Sequence, residues 1–262
     1  MTQTETEVRT INGIQEPDIV RRTKRGRRWY QHPLTGEEIP GATTVLGIKS
    51  NPALIGWARK RRAELMEHAV RNSEQSIWTE KQVLEMIDST RSSKLPTDEA
   101  DYGTRLHTAA EQFLNGITPK VDEDISTAWL GFLSWWKSQE AFVDQLYSEV
   151  PVWHPDGYAG TADVLMLSKE GMWNVIDFKT SKAVYDDHAL QLVAYQRAAE
   201  ATFELGNVDG LKIIRFGKVN PEVEIHSVNP VMSPIAWDRF RRRLDLFNAD
   251  REKVNFWDLF DL

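Results

Sequence analysis

The chain has no cysteine in its 262 residues, and this absence removes several kinds of chemistry at once. Without thiols the protein cannot form disulfides, use a thiolate nucleophile, or hold zinc or an iron–sulfur cluster through cysteine. It also lacks any apolar run near the roughly 18 residues that a membrane-spanning helix needs. The first residues are polar and acidic, unlike a secretory signal, so we expect a cytoplasmic protein with no membrane partner.

Positive charge is in the minority, since 32 Lys and Arg face 39 Asp and Glu and the net charge is −7. Local clusters nevertheless decide which ligands a surface attracts. The segment 21–28 contains Arg21, Arg22, Lys24, Arg25, Arg27 and Arg28, and Trp29 and Tyr30 follow it directly. Cations neutralise phosphates and aromatic rings stack on bases. We therefore predict a strand-binding surface here, with Arg25, Arg27, Arg28 and Trp29 as its contacts.

The order of sequence patterns predicts an α/β fold. After a disordered tail at 1–18, the patterns indicate two short strands within 29–46, helices at 51–70, 78–90, 97–115 and 124–138, a strand at 143–152, a hairpin at 161–178, a helix at 187–204, strands at 211–218 and 222–228, and a helix at 234–249. This order fits a central mixed sheet with helices on its faces. We expect one integrated domain, in which a hairpin and helical region at 19–140 precedes a core at 141–262.

Two aspartates and a lysine are predicted to converge on the hairpin. Its apolar, β-branched runs at 161–167 and 173–178 are joined by a three-residue loop that ends in glycine. That turn places Asp163 directly opposite Asp177, with Cβ atoms about 4.5–5.5 Å apart. Lys179 projects from the same face two residues later. Two carboxylates this close need a cation or a shared proton, so the pattern predicts a hard divalent metal ion.

Several segments together carry a resemblance to a known family. They are Ala42-Thr43-Thr44-Val45-Leu46, Tyr102-Gly103-Thr104-Arg105-Leu106-His107, Ser148-Glu149-Val150-Pro151-Val152, Gly160-Thr161-Ala162-Asp163, Asp177-Phe178-Lys179-Thr180-Ser181 and Gln191-Leu192-Val193-Ala194-Tyr195. In this order they resemble the PD-(D/E)XK nucleases, in particular the RecB-type branch. The first segment is similar to the entry segment of mitochondrial genome maintenance exonucleases and their phage relatives.

The resemblance implies a restriction-endonuclease-like fold and a role for each motif residue. His107, Asp163, Asp177 and the carbonyl of Phe178 would bind one or two Mg²⁺ or Mn²⁺ ions. Lys179 would position the attacking water, assisted by Gln191 and Glu149. Thr180, Ser181, Lys182, Arg105 and Tyr195 would contact the substrate. In such exonucleases a helical N-terminal region arches over the site and threads one strand, and we expect 19–140 to do so here.

The function implied is that of a metal-dependent DNA exonuclease acting on single-stranded ends in recombination, repair or replication, encoded by a phage or a prokaryote. A phage-encoded enzyme would act in the host cytoplasm. No Walker A sequence is present, so any motor would come from a partner, and candidate partners are a helicase, a recombinase or a single-strand annealing protein. Two alternatives remain open at this point: a structure-specific or restriction-like endonuclease, and a DNA-binding module without catalytic activity.

Overall fold

The computed structural model of the protein describes residues 9–24, 26–47, 98–206 and 208–249. The chain divides into two compact units, one formed by Met1–Leu46 with Asp98–Leu262 and the other by Gly47–Thr97. Almost all of the second unit lies outside the described residues. The helices predicted at 51–70 and 78–90, the basic cluster at 59–62 and the candidate contact Arg25 therefore lie outside them too.

Ten strands and five α-helices occur in the described residues. The strands are β1 (Thr10–Ile11), β2 (Ile14–Gln15), β3 (Arg21–Lys24), β4 (Arg27–Gln31), β5 (Glu38–Pro40), β6 (Val143–His154), β7 (Tyr158–Ser168), β8 (Trp173–Lys179), β9 (Val208–Phe216) and β10 (Val223–Ser227). The helices are α1 (Ala42–Leu46), α2 (Asp98–Leu114), α3 (Ser126–Gln139), α4 (Asp186–Phe203) and α5 (Ser233–Ala249). None of these helices is long and apolar enough to cross a membrane.

A five-stranded mixed sheet forms the centre of the fold, in the order β10-β9-β8-β7-β6. Only β8 and β9 run parallel, and α4 makes the crossover that a parallel pair requires. The other neighbours in this sheet are antiparallel. The prediction of an α/β fold with a mixed central sheet flanked by helices is confirmed.

The β7–β8 hairpin has the predicted register. Val164 pairs with Ile176 and Leu167 with Trp173, so Asp163 and Asp177 occupy opposing positions one step beyond the last pair. The loop closes through the hydrogen bond from Ser168 N to Met172 O, at 2.9 Å. Gly171 has a φ of +79°, the left-handed conformation that the predicted turn requires.

The sheet changes its covering layer partway along β7. Val164 and Ile176 pack in the core beneath α2 and α3, around the fully buried Phe132. Nearer the start of β7, Tyr158 Oη donates to Ala194 O of α4, and a Cβ on Gly160 would lie 2.3 Å from the ring of Tyr195. Even-numbered residues of β7 thus pack against α4 at 158 and 160 but against the α2–α3 layer at 164. Asp163 therefore lies where the two layers meet.

The amino-terminal region holds more structure than the sequence suggested. The described part of the tail forms the β1–β2 hairpin with Ile11 fully buried, and Asn12 Nδ2 donates to Phe203 O at 3.0 Å. The basic segment adds β3 to a small antiparallel sheet of order β3-β4-β5. Residues 42–46, which were expected to be extended, form α1 instead. These elements are stabilised by contacts with distant parts of the chain, and local sequence patterns do not report such contacts.

Candidate active site

Three acidic residues lie side by side on three neighbouring strands. On β6 and β7, the pairs Ser148–Val164 and Val150–Ala162 leave Glu149 opposite Asp163. On β7 and β8, Asp163 in turn lies opposite Asp177. The observed register thus puts Glu149 in line with both aspartates.

Helix α2 brings His107 to this row of acids. One donor atom each from His107, Glu149 and Asp163 all lie within 4.8 Å of one another. His107 Nδ1 lies 3.3 Å from Asp163 Oδ1, and its Nε2 lies 3.1 Å from Phe178 O. Because a carbonyl can only accept, the proton resides on Nε2, and Nδ1 faces the acids.

The backbone of β8 fixes the orientation of Asp163. Phe178 N donates to Asp163 Oδ2 at 2.6 Å, which ties one carboxylate oxygen to the neighbouring strand. The carbonyl of Phe178, predicted as a metal ligand, already accepts from His107 and has one lone pair left for an ion. The backbone N–H and the carbonyl of Phe178 thus both help to hold the cluster.

Glu149 has a left-handed backbone conformation with a φ of +48°, which is strained for a residue with a side chain. Arg9 stabilises this conformation from 140 residues away: its Nη1 donates to Ser148 O at 2.8 Å, and its Nη2 lies 3.5 Å from Glu149 O. Arg9 is itself held by Glu16, with 2.7 Å between Nε and Oε2. Sequence reasoning missed Arg9, because no local signal connects this arginine with β6.

Asp177 is held separately by a lysine and a glutamine. Its Oδ2 lies 2.5 Å from Lys179 Nζ, as a charge contact without hydrogen-bond geometry, and its side chain is 1 % exposed. Gln191 Nε2 donates to Asp177 Oδ1 at 3.1 Å and also to Tyr195 Oη at 3.0 Å. Gln191 was expected to assist Lys179, and in the structure it contacts Asp177, the residue that holds Lys179.

The electrostatics of the cluster favour a bound cation. Burial, reinforced by the charge of Asp163, raises the pKa of Glu149 to about 7, against smaller opposing effects of His107 and Arg21. Burial and Asp163 likewise raise the pKa of Asp177 to about 6, although Lys179 opposes the shift. Burial alone would lower the pKa of His107, but the charge and hydrogen bond of Asp163 raise it overall. The acids therefore repel one another in the absence of additional positive charge.

The donor set fits a divalent metal ion. Carboxylate oxygens suit Mg²⁺ and Mn²⁺, and a neutral imidazole whose other nitrogen donates to a carbonyl is a usual metal ligand. Asp177 Oδ2 is buried against the ammonium group of Lys179, 2.5 Å away, so a metal ion would share this oxygen with Lys179 or displace it. The structure groups Glu149, rather than Asp177, with His107 and Asp163.

Two predicted substrate contacts are corrected by the structure. Tyr195 is 2 % exposed and packs over Gly160, so no base or sugar can stack on its ring. Arg105 is held by three carboxylates, those of Asp101, Asp122 and Asp124. Its guanidinium therefore clamps α2 to the segment before α3 instead of being open to a phosphate.

The residues after the metal motif differ in their access to solvent. Thr180 is 9 % exposed and lies against α2, where a Cβ on Gly103 would be 3.3 Å from its hydroxyl, so its predicted contact with phosphate is also corrected. Ser181 Oγ donates to Ala183 O at 2.7 Å within its own loop. Lys182 is exposed. Of this trio, only Lys182 presents an uncommitted polar group to solvent.

The predicted strand-binding surface lies on β3 and β4. Arg27 and Arg28 are exposed, whereas Trp29 is half-buried with its ring 5.8 Å from that of Phe247 in α5. Tyr30 is buried, and its hydroxyl shares a hydrogen bond of 3.2 Å with Thr161 Oγ1. Since Thr161 precedes Asp163 by two residues, the basic hairpin contacts β7 next to the acidic cluster.

Comparison with known proteins identifies the class of protein that this sheet and site define. Residues 78–245 match the PD-(D/E)XK nuclease superfamily, and this range contains Glu149, Asp163, Asp177 and Lys179. The chain therefore belongs to the PD-(D/E)XK nuclease superfamily.

Similar solved structures are distant. The crystal structure of SSO0001 is 13 % identical, with a match that covers 55 % of this chain and 84 % of that chain at a TM-score of 0.30. An alkaline exonuclease from Laribacter hongkongensis, LHK-Exo, is 9 % identical, with 61 % and 88 % covered at a TM-score of 0.28. No curated protein sequence matches the chain.

Proposed function

We propose that this protein is a Mg²⁺- or Mn²⁺-dependent DNA exonuclease that hydrolyses phosphodiester bonds at single-stranded ends. The observation that carries the proposal is the alignment of Glu149, Asp163 and Asp177 on adjacent strands, with His107 at one end and Lys179 at the other. The chain's membership of a nuclease superfamily supports the same chemistry.

His107, Glu149 and Asp163 would hold the divalent ion, with Asp177 and the carbonyl of Phe178 beside them. Such an ion supplies Lewis-acid stabilisation of the scissile phosphate and of the leaving oxygen. Phe178 N and Phe178 O keep Asp163 and His107 in place, so the donor atoms are already oriented before substrate arrives. Orientation fixed in advance is what makes electrostatic stabilisation effective.

Lys179 is the group we assign to the attacking water. Its side chain is 17 % exposed, so Nζ is open to solvent while Asp177 fixes its position. An ammonium group there orients the water and offsets the charge that develops on the phosphate. Gln191 keeps Asp177, and through it Lys179, in register with the acids on β7.

The preference for single strands is supported by the basic hairpin beside β7. Its exposed arginines would meet the phosphates of the strand. Binding through phosphates is independent of sequence. An exonuclease of this kind would act in the cytoplasm, of a host cell if phage-encoded, during recombination, repair or replication. A helicase, a recombinase or an annealing protein would supply its single strands.

Substrate topology tests the exonuclease assignment. The protein is incubated with Mg²⁺ or Mn²⁺ and an end-labelled linear single strand, a closed single-stranded circle or a linear duplex. We expect only the linear single strand to be shortened. Cleavage of the closed circle would establish an endonuclease instead, and cleavage of no substrate across metals and pH values would leave a DNA-binding module.

Two substitutions test the assigned residues. Asp177→Asn and Lys179→Met should each lower the cleavage rate by about 10²–10⁴-fold, because each removes a charge that acts on the reacting phosphate or water. DNA binding should persist in both variants. Glu170→Ala, at the exposed tip of the same hairpin, is the matched control and should cleave normally. Full activity of Asp177→Asn would refute the assigned site.

A further inference from the structure

The basic hairpin has two faces, and the pairing of its strands assigns each cation to one of them. Arg21 pairs with Tyr30, Arg22 with Trp29, and Thr23 with Arg28. Directly paired residues share a face, and residues two apart on one strand share it too. Arg21 and Arg28 therefore lie on the face of Tyr30, whereas Arg22 lies on the opposite face with Trp29.

The face of Tyr30 is the one that meets β7. Tyr30 Oη contacts Thr161 Oγ1, two residues before Asp163. Gly41 forms a bridge with Ala159 of β7, and a Cβ on Gly41 would lie 3.2 Å from Arg28 Cβ. The root of the Arg28 side chain is thus anchored where the small sheet joins β7.

Arg21 lies on the same side of the small sheet as this contact. It pairs directly with Tyr30, whose hydroxyl meets Thr161, and Thr161 precedes Asp163 by two residues. Cβ atoms directly across a strand pair are about 4.5–5.5 Å apart, and an arginine side chain extends well beyond that distance. The side chain of Arg21 therefore starts beside Tyr30, on the face of the small sheet that meets β7.

These two arginines are available to a ligand. Among the described residues, neither Arg21 nor Arg28 forms an ion pair, whereas Lys24 pairs with Glu38, Arg215 with Glu224 and Arg243 with Asp187. Both side chains are exposed. An exposed guanidinium without an acidic partner among the described residues suits a phosphate, which it binds through two parallel hydrogen bonds.

We propose that Arg21 and Arg28 form a phosphate-binding pair that holds the backbone of the DNA strand next to the carboxylate cluster, and that Arg22 takes no part in this binding. The proposal rests on the proposed function in its choice of ligand, and it assigns the binding to one face of the basic hairpin. The two arginines would supply positive charge where three acids would otherwise repel the strand. The proposal also revises the broader surface expected from the sequence.

The experiment measures affinity for a fluorescent single-stranded oligothymidylate in Ca²⁺ at several NaCl concentrations, with the length of the strand checked on a gel. Arg21→Ala and Arg28→Ala should each weaken binding by about 3–10-fold, and each should reduce the slope of log affinity against log salt by about 0.7, the value for one phosphate contact on a single strand. The double variant should reduce the slope by about 1.4.

Arg22→Ala is the control, since it removes the same charge from the neighbouring position on the opposite face. It should leave the dissociation constant within about twofold of the wild-type value and the salt slope unchanged, because only direct phosphate contacts release counterions. An equal loss in Arg21→Ala and Arg22→Ala would overturn the proposal in favour of diffuse attraction. Normal affinity of the double variant, or no binding by the wild-type protein, would also overturn it.

The DNA-binding assay tests the phosphate-binding pair, and the cleavage assay tests the nuclease function, so each can fail without the other. A protein that binds through Arg21 and Arg28 and cleaves no substrate would refute the nuclease function alone. A protein that cleaves linear strands and loses nothing in the double variant would refute the phosphate-binding pair alone. Thermal unfolding of each variant shows whether a change in affinity arises from loss of the fold.

Discussion

Gly160 is the position where a single methyl group should disturb both the fold and the site. A Cβ there would lie 2.3 Å from Tyr195 Cε1 and 2.9 Å from Cδ1. Since nonbonded carbon atoms sit about 3.5–4.0 Å apart, the ring would have to retreat by more than about 1 Å. Tyr195 is buried in the core, so its neighbours would have to move as well.

We expect Gly160→Ala to destabilise the protein by about 1–3 kcal/mol, the usual cost of overpacking a core. For a chain of this size that corresponds to a fall in melting temperature of about 2–12 °C. Cleavage should fall by a further factor of about ten, because displacement of Tyr195 removes the hydrogen bond that positions Gln191 on Asp177. Thermal unfolding and single-turnover cleavage measure the two effects separately.

Gly206→Ala is the control for the same substitution, since in the part of the chain that the structure describes no atom beyond its chain neighbours would lie within 4 Å of a Cβ on Gly206. It should leave both the melting temperature and cleavage near the wild-type values. If Gly160→Ala melts at the same temperature as Gly206→Ala, the packing of Tyr195 on β7 is wrong. If it is destabilised but cleaves at the wild-type rate, the link from Tyr195 through Gln191 to Asp177 is wrong.

Three further predictions concern residues around the site. Arg9→Ala should weaken Mn²⁺ binding about tenfold in calorimetry, because it releases the strained backbone at Glu149, and unchanged affinity would contradict this role. Burial and the charge of Lys179 lower the pKa of His188 to about 4, so the unfolded chain binds a proton there below about pH 6.5 while the folded protein does not. The free energy of unfolding should therefore fall by about 1–3 kcal/mol between pH 6.5 and pH 4. In urea titrations at several pH values, His188→Gln should show a smaller fall. An equal dependence of the unfolding free energy on pH in both proteins would refute this. Arg105→Ala should leave affinity for DNA unchanged and change the melting temperature little, because its ion pairs are at the surface, whereas weaker DNA binding would reinstate it as a substrate contact.

Much of the central sheet follows from local pattern. The β7–β8 hairpin has two apolar, mostly buried runs and a loop whose glycine fixes the turn, so its register was predictable. That register alone places Asp163 opposite Asp177. The helices follow from their apolar periodicity, and α2 begins and ends within two residues of its expected bounds.

The parts that the sequence did not predict depend on contacts between distant residues. The approach of Tyr195 to Gly160 buries an aromatic ring that the family resemblance had assigned to the substrate. Arg105 belongs to a motif that suggested the substrate, but acids on a later segment neutralise it. Arg9 acts on Glu149 across most of the fold. In each case the decisive partner lies too far along the chain for a local pattern to reveal it.

The faces of the basic hairpin show the same limit. The run of cations at 21–28 indicated phosphate binding, but a run of charge has no orientation. Only the contact of Tyr30 with Thr161 shows which side of the strands meets β7. This contact separates Arg21 and Arg28 from their neighbour Arg22.

Anomalous X-ray scattering from crystals soaked in Mn²⁺ tests the central claim most directly. We predict a peak within bonding distance of His107 Nδ1 and of carboxylate oxygens of Glu149 and Asp163, and its loss in crystals of Asp163→Ala. A soaked crystal with full Mn²⁺ density elsewhere and none between these three residues would contradict the account.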